Sequence, residues 1–126
     1  MTTDDVIAHW RKGAKDAPRL AALAVDNGVY ELALFHCHLA VEKALKAAVM
    51  AHSRTPHPKV HALLRLASEL GDDWSAEDRE MFDTLSDFAI AARYDDPGWA
   101  QRFATAENAR RWVSGTRAFL SRHSLL

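Results

Sequence analysis

Phe35, Leu39, Glu42 and Lys46 recur at three- and four-residue spacing in a segment free of proline and glycine. On a helix they form one stripe, with a carboxylate and an ammonium in line with two large apolar side chains. Such a face is neither plain core nor plain solvent surface. It suits a Glu42–Lys46 surface pair worth roughly a few tenths of a kcal/mol, or the wall of a cleft or subunit contact. A second feature is Arg93-Tyr94 ahead of Asp95-Asp96-Pro97-Gly98, where a cation at the end of a helix is favoured by the helix dipole. Glu42 sits among apolar neighbours and needs a partner, because an unpaired buried carboxylate is costly. A Glu42–Arg93 pair is therefore the expected contact between these two features.

The other reactive side chains point less clearly to chemistry. His36 and His38 lie two residues apart and project to nearly opposite sides of a helix, so they cannot chelate one ion together. His57 and His61 have metal-ligand spacing, but Pro58 separates them and no acidic or sulfur ligand is close, so no metal is expected. With Arg54 and Lys59 nearby, His61 fits a helix start, as a cap or as part of a phosphate-binding corner. Cys37, the single cysteine, has no disulfide partner within the chain, and Leu34 and Val41 beside it suit a buried small hydrophobe.

These side chains must be held by helices, because alanine and leucine dominate, β-branched residues are sparse and no stretch alternates with period two. A first helix is expected from Thr3 or Asp4 to Val25, with Ile7, Trp10, Ala14, Ala17, Ala21 and Ala24 inward, a kink at Pro18 and a stop at Asp26-Asn27-Gly28. A second, central one runs from Val29 to about Ser53. Pro56 and Pro58 break the chain, and Pro58 opens a third helix that ends at Gly71, with Val60, Leu63, Leu64, Ala67 and Leu70 inward. Ser75 and Asp78 cap a fourth carrying Met81, Phe82, Leu85, Phe88, Ala89 and Ala92, which ends near Tyr94. The last begins near Thr105 and packs through Ala109, Trp112, Val113, Thr116, Phe119 and Leu120. About five helices with short connections define an all-α antiparallel bundle, one domain over residues 1–126.

Composition narrows the function classes. A chain of 126 residues, 48% hydrophobic and 26% charged, can bury one core and resembles neither a disordered nor a membrane protein. With 16 basic and 17 acidic residues and a net charge of -1, no global field draws it to DNA or anionic lipid. Locally the charge is uneven. Nine acidic residues between Asp72 and Asp96 face only Arg79 and Arg93, while Arg102, Arg110, Arg111, Arg117 and Arg122 are opposed by Glu107 alone. Mutual complementarity of the last two long helices accounts for this, and an RNA or partner surface at Arg110, Arg111 and Arg117 is the competing reading. No apolar run reaches the length of a membrane span, and Met1 to Asp5 lacks the pattern of a signal peptide. A cytoplasmic protein with no membrane partner is expected.

Taken in order, Gly28-Val29-Tyr30, Ala33, Phe35, His38, the run from Ala40 to Lys46, Pro56 to His61, Leu63, Leu64 and Ala92-Arg93-Tyr94 resemble the HEPN family (higher eukaryotes and prokaryotes nucleotide-binding). Trp10, Ala14 and Asp16 fit as well, so the likeness extends from about Val6 to Leu120. His38 stands where relatives often carry glutamine.

The resemblance implies an up-and-down helical bundle that commonly forms a homodimer. It also implies a role in nucleotide- or RNA-related systems, often beside a minimal nucleotidyltransferase in toxin–antitoxin pairs. The residues it offers for contact with a nucleotide or partner are Glu42, Lys43, Lys46, His61, Arg93 and Tyr94, with no cofactor. Ribonuclease members of the family resemble one another in an arginine followed after four to six residues by histidine. Arg93 matches that arginine, but Tyr94 to Trp99 supply no histidine. Arg54 and His61 have the right separation yet lie in the second connection. The expectation is a non-catalytic member, with a metal-independent endoribonuclease of divergent active site, or a structural dimerisation module, as alternatives.

Overall fold

The computed structural model describes residues 1–55 and 62–125. The chain forms α1 (Thr3–Asp26), α2 (Tyr30–Ser53), α3 (Leu63–Ser68), α4 (Ala76–Arg93), α5 (Pro97–Phe103) and α6 (Ala106–Arg122). All elements among the described residues are helical, and together they make the expected all-α bundle.

Local chemistry sets most of the ends. At the start of α1 the Thr2 hydroxyl accepts from the Asp5 N–H at 3.1 Å, and the Asp5 carboxylate accepts from the Thr2 N–H at 2.9 Å, which satisfies two otherwise orphaned donors. α1 ends where Gly28 takes φ +73°, a conformation open to glycine without a Cβ clash. The turn is closed by the Val29 N–H donating to the Ala24 carbonyl at 2.8 Å. Ser75, Asp96 and Thr105 cap α4, α5 and α6 through their side-chain oxygens.

α1 and α2 form an antiparallel hairpin. Ala24 clusters with Ala33 near the turn, and Ile7 with Ala47 and Met50 at the far end. The alanines at 14, 17, 21, 40 and 44 let the two backbones approach closely. α2 is buried on several sides, from Ala33 and Leu34 to Val49 and Met50, as a helix surrounded by others must be. It packs on α1, α3, α4 and α6.

α4 and α6 also run antiparallel. The Phe82 and Phe119 rings meet edge to face at 5.5 Å, and Phe88 and Trp112 do so at 5.4 Å. At the start of α4, Asp78 is buried and accepts from Arg122 Nη2 at 2.8 Å, while its other oxygen lies 2.8 Å from His123 Nε2. The His123 ring in turn rests on Trp74 and Phe119.

Two expectations are corrected. The third helix begins at Leu63, since Ala62 is extended at its N-cap, and ends at Ser68 instead of Gly71; Leu63 and Leu66 are fully buried and Leu64 only partly so. Pro58, Val60 and His61 lie outside the described residues. Pro97–Phe103, expected as connection, forms the short helix α5, capped by Asp96 and packed through Trp99 against Phe88, which makes six described helices and not five. α1 carries Pro18 in its interior, as expected, and reaches Asp26.

Candidate functional site

The start and middle of α2 and the last turns of α4 do not close on each other. They leave a groove of about 670 Å3 lined by Phe35, His38, Leu39 and Glu42 on one wall and by Ser86, Ala89, Ile90 and Arg93 on the other. The spacing that suggested a mixed face therefore makes one wall of a real groove. Large apolar side chains stay open to solvent around it, with Leu32 47% and Ile90 57% exposed.

Glu42 anchors the α2 wall. Its Oε1 lies 2.6 Å from Lys46 Nζ and its Oε2 lies 3.3 Å from His38 Nδ1. The three residues stand one helical turn apart on one face, and all are buried. Lys46 is further held by the Trp10 ring of α1, whose centroid is 5.0 Å from its ammonium. Two of the carboxylate's close neighbours thus come from its own helix. Among the described residues no ion pair joins Glu42 to Arg93, which corrects the contact expected from the sequence. The physical reason is reach: Lys46 is a fixed turn away, whereas Arg93 sits exposed on the final turn of α4.

The remaining candidates divide. Arg93 lines the groove and has no ion-pair partner among the described residues, leaving its guanidinium open to an anion. Tyr94 follows it, 76% exposed. Lys46 stands behind Glu42 rather than on the groove wall. Lys43 points elsewhere, its stem lying across α1 at Gly13, where an added Cβ would come within 2.7 Å of Lys43 Cδ. His61 lies outside the described residues.

His36 and Cys37, beside His38 on α2, titrate away from their ordinary values. Burial, with the Lys43 charge assisting, holds the His36 imidazole below its ordinary value. Burial pushes the Cys37 thiol up to about 11, although the Thr116 hydroxyl and the Arg117 charge pull the other way. A thiol so deep in the core is packing material and not a nucleophile. Among the described residues no three histidine, cysteine or acidic side chains converge as a metal site would require.

His38 is the groove residue that residue-by-residue reading passed over; the signal was its place one turn before Glu42 and two before Lys46. The Asp78–Arg122–His123 cluster was also missed, because Ser75 and Asp78 read locally as a capping pair. Ser75 does cap through the Asp78 N–H at 3.0 Å, but the Asp78 carboxylate turns to α6.

A helical bundle with an open, mixed groove beside its central helix is a binding scaffold. The family model of the HEPN domain matches residues 7–124, nearly the whole chain, and the chain belongs to that family. HEPN domains are in general nucleotide- or RNA-related and commonly dimerise. No curated protein and no solved structure matches the chain. No helix among the described residues is long and apolar enough to cross a membrane.

Proposed function

We propose that this HEPN protein acts by binding and not by catalysis: it forms a homodimer through the α2–α4 face and holds a nucleotide, or a minimal nucleotidyltransferase partner of a toxin–antitoxin-like system, at the groove. The observation that carries the reading is the groove itself, with Leu32 and Ile90 exposed beside it and Arg93 at its edge. Adjacent exposed apolar side chains on two helices favour a partner surface. Arg93 supplies a cation for phosphate, and the exposed Tyr94 ring offers a stacking face for a base. Light scattering on the eluting protein tests the assembly: a dimer is expected for the native chain and a monomer for Ile90→Asp. Calorimetry with a nucleoside triphosphate is expected to show binding that Arg93→Ala and Tyr94→Ala each weaken. A monomeric native chain that takes up no nucleotide overturns the reading.

One observation favours a second reading, a metal-independent endoribonuclease. His38 and Arg93 line the same groove, and an imidazole together with a guanidinium are groups that acid–base cleavage of a phosphodiester uses. Incubation with RNA in the presence of a chelator separates the two. Cleavage that disappears in both His38→Ala and Arg93→Ala establishes the ribonuclease and defeats the binding-only reading.

A further inference from the structure

On another face, the first half of α1 and the end of α2 enclose a second groove, of about 510 Å3. Its apolar lining is Ile7, Ala8 and Ala51, and its charged lining is Asp4, Arg11, Lys12, Lys15 and Arg54. Asp4 is taken by Arg54 at 2.8 Å, and Lys12 is taken by Asp16 at 2.7 Å. Arg11 and Lys15 are exposed and have no carboxylate partner among the described residues.

Between Val6 and Val25 the one carboxylate on α1 is Asp16, which pairs with Lys12. Arg11 and Lys15 sit one turn apart, Lys12 and Lys15 three residues apart, and Arg19 follows Lys15 by another turn, so α1 carries a ladder of like-charge neighbours that opposes helix formation. The dipole gives no compensation, because these positions lie in the body of α1 and not in its last turn. In a chain with 17 acidic residues, cations left unpaired around a concavity indicate an external counter-charge.

We infer that this α1–α2 groove binds a run of adjacent phosphates through Arg11 and Lys15, with Arg54 held on its far side by Asp4. Arg11 and Lys15 are spaced one helical turn apart, about 5–6 Å between Cβ atoms, which suits successive phosphate groups. Five of the eight lining side chains are charged and the apolar ones are Ile7 and two alanines, which favours a charged ligand over the apolar anchor of a peptide. The phosphates can belong to a free polyphosphate or to a nucleic acid strand, and the two sources are separable.

Anisotropy with a labelled oligouridylate and calorimetry with inorganic tripolyphosphate, both in low salt, test the site on the full chain. Binding of at least one probe is expected. Arg11→Gln/Lys15→Gln is expected to weaken it at least tenfold and, for the oligouridylate, to flatten the slope of log K against log salt by about 1.4, since each neutralised single-strand contact contributes about 0.7. Tight oligouridylate binding with weak tripolyphosphate binding identifies a strand, and the reverse a free polyphosphate. Both substituted positions are exposed, so helical circular dichroism should not change. The inference is overturned if neither probe binds, if the double variant binds both as the native chain does, or if binding is lost on Arg110→Gln/Arg111→Gln instead.

Discussion

Lys46 Nζ lies 2.6 Å from Glu42 Oε1, and each side chain is only 7% exposed. The two charges satisfy one another one turn apart on α2, with the Trp10 ring beside the ammonium. Removing the Glu42 charge strands the Lys46 ammonium in low dielectric, whereas removing both charges together does not. Glu42→Gln is therefore expected to lower the stability to urea by about 3 kcal/mol, and Glu42→Gln/Lys46→Met to return to within about 1 kcal/mol of the native chain. Additive single effects in such a double-mutant cycle would show that the pair is not coupled.

Asp78 makes the corresponding link between α4 and α6. Its buried carboxylate bonds Arg122 and contacts His123, so Asp78→Ala is expected to cost about 2–3 kcal/mol. Amide exchange should rise over the last turn of α6 while the centre of α2 stays protected. Trp74, whose ring is 5.0 Å from His123, provides a fluorescence reporter of the same release. An unchanged exchange pattern around Arg122 would mean that apolar packing alone holds the end of α6.

Lys43 and Gly13 form a steric couple. Glycine in a helix interior costs about 1 kcal/mol relative to alanine, yet a Cβ at Gly13 would meet Lys43 Cδ at 2.7 Å. In a Lys43→Ala background, Gly13→Ala is expected to stabilise by close to that full amount, about 1 kcal/mol. In the native background the gain should be smaller, because the lysine stem must first swing away. Equal gains in thermal melts of both backgrounds would reject the couple and return Lys43 to the list of residues free to contact a ligand.

The helical period made α1, α2, α4 and α6 legible, since each buries a stripe that repeats every three or four residues. α5 was not legible: its seven residues are too few to show a period, and Pro97-Gly98 reads as a turn until Asp96 is seen to cap it. The groove was half legible. Glu42 and Arg93 were singled out, and both line it, but their direct pairing was wrongly inferred because a carboxylate among apolar residues does not reveal which cation reaches it first. Mutual charge complementarity of α4 and α6 proved local. Of the five arginines after Trp99, Arg122 alone reaches an α4 carboxylate among the described residues, and Arg110, Arg111 and Arg117 remain exposed. The second groove escaped notice because its cations come from helices distant in sequence, and only the hairpin brings Arg54 beside Arg11.

Cys37 gives a pH dependence whose sign follows from its burial. The thiol's ordinary value of 9.0 is pushed up to about 11 in the folded chain, so between these values the native state keeps a proton that the unfolded state has released. Stability from this group is complete below about pH 9 and is lost as the pH rises through about 11. Two pKa units correspond to about 2–3 kcal/mol. Other groups titrate in the same window, so the quantity to measure is the difference in slope between the native chain and Cys37→Ala. Urea unfolding from pH 8 to pH 11 should show the native chain losing stability faster than the variant. Alkylation of the thiol at pH 8 should stay slow until urea unfolds the chain, and rapid native-state alkylation would place Cys37 at an accessible site and remove the basis for the steeper slope.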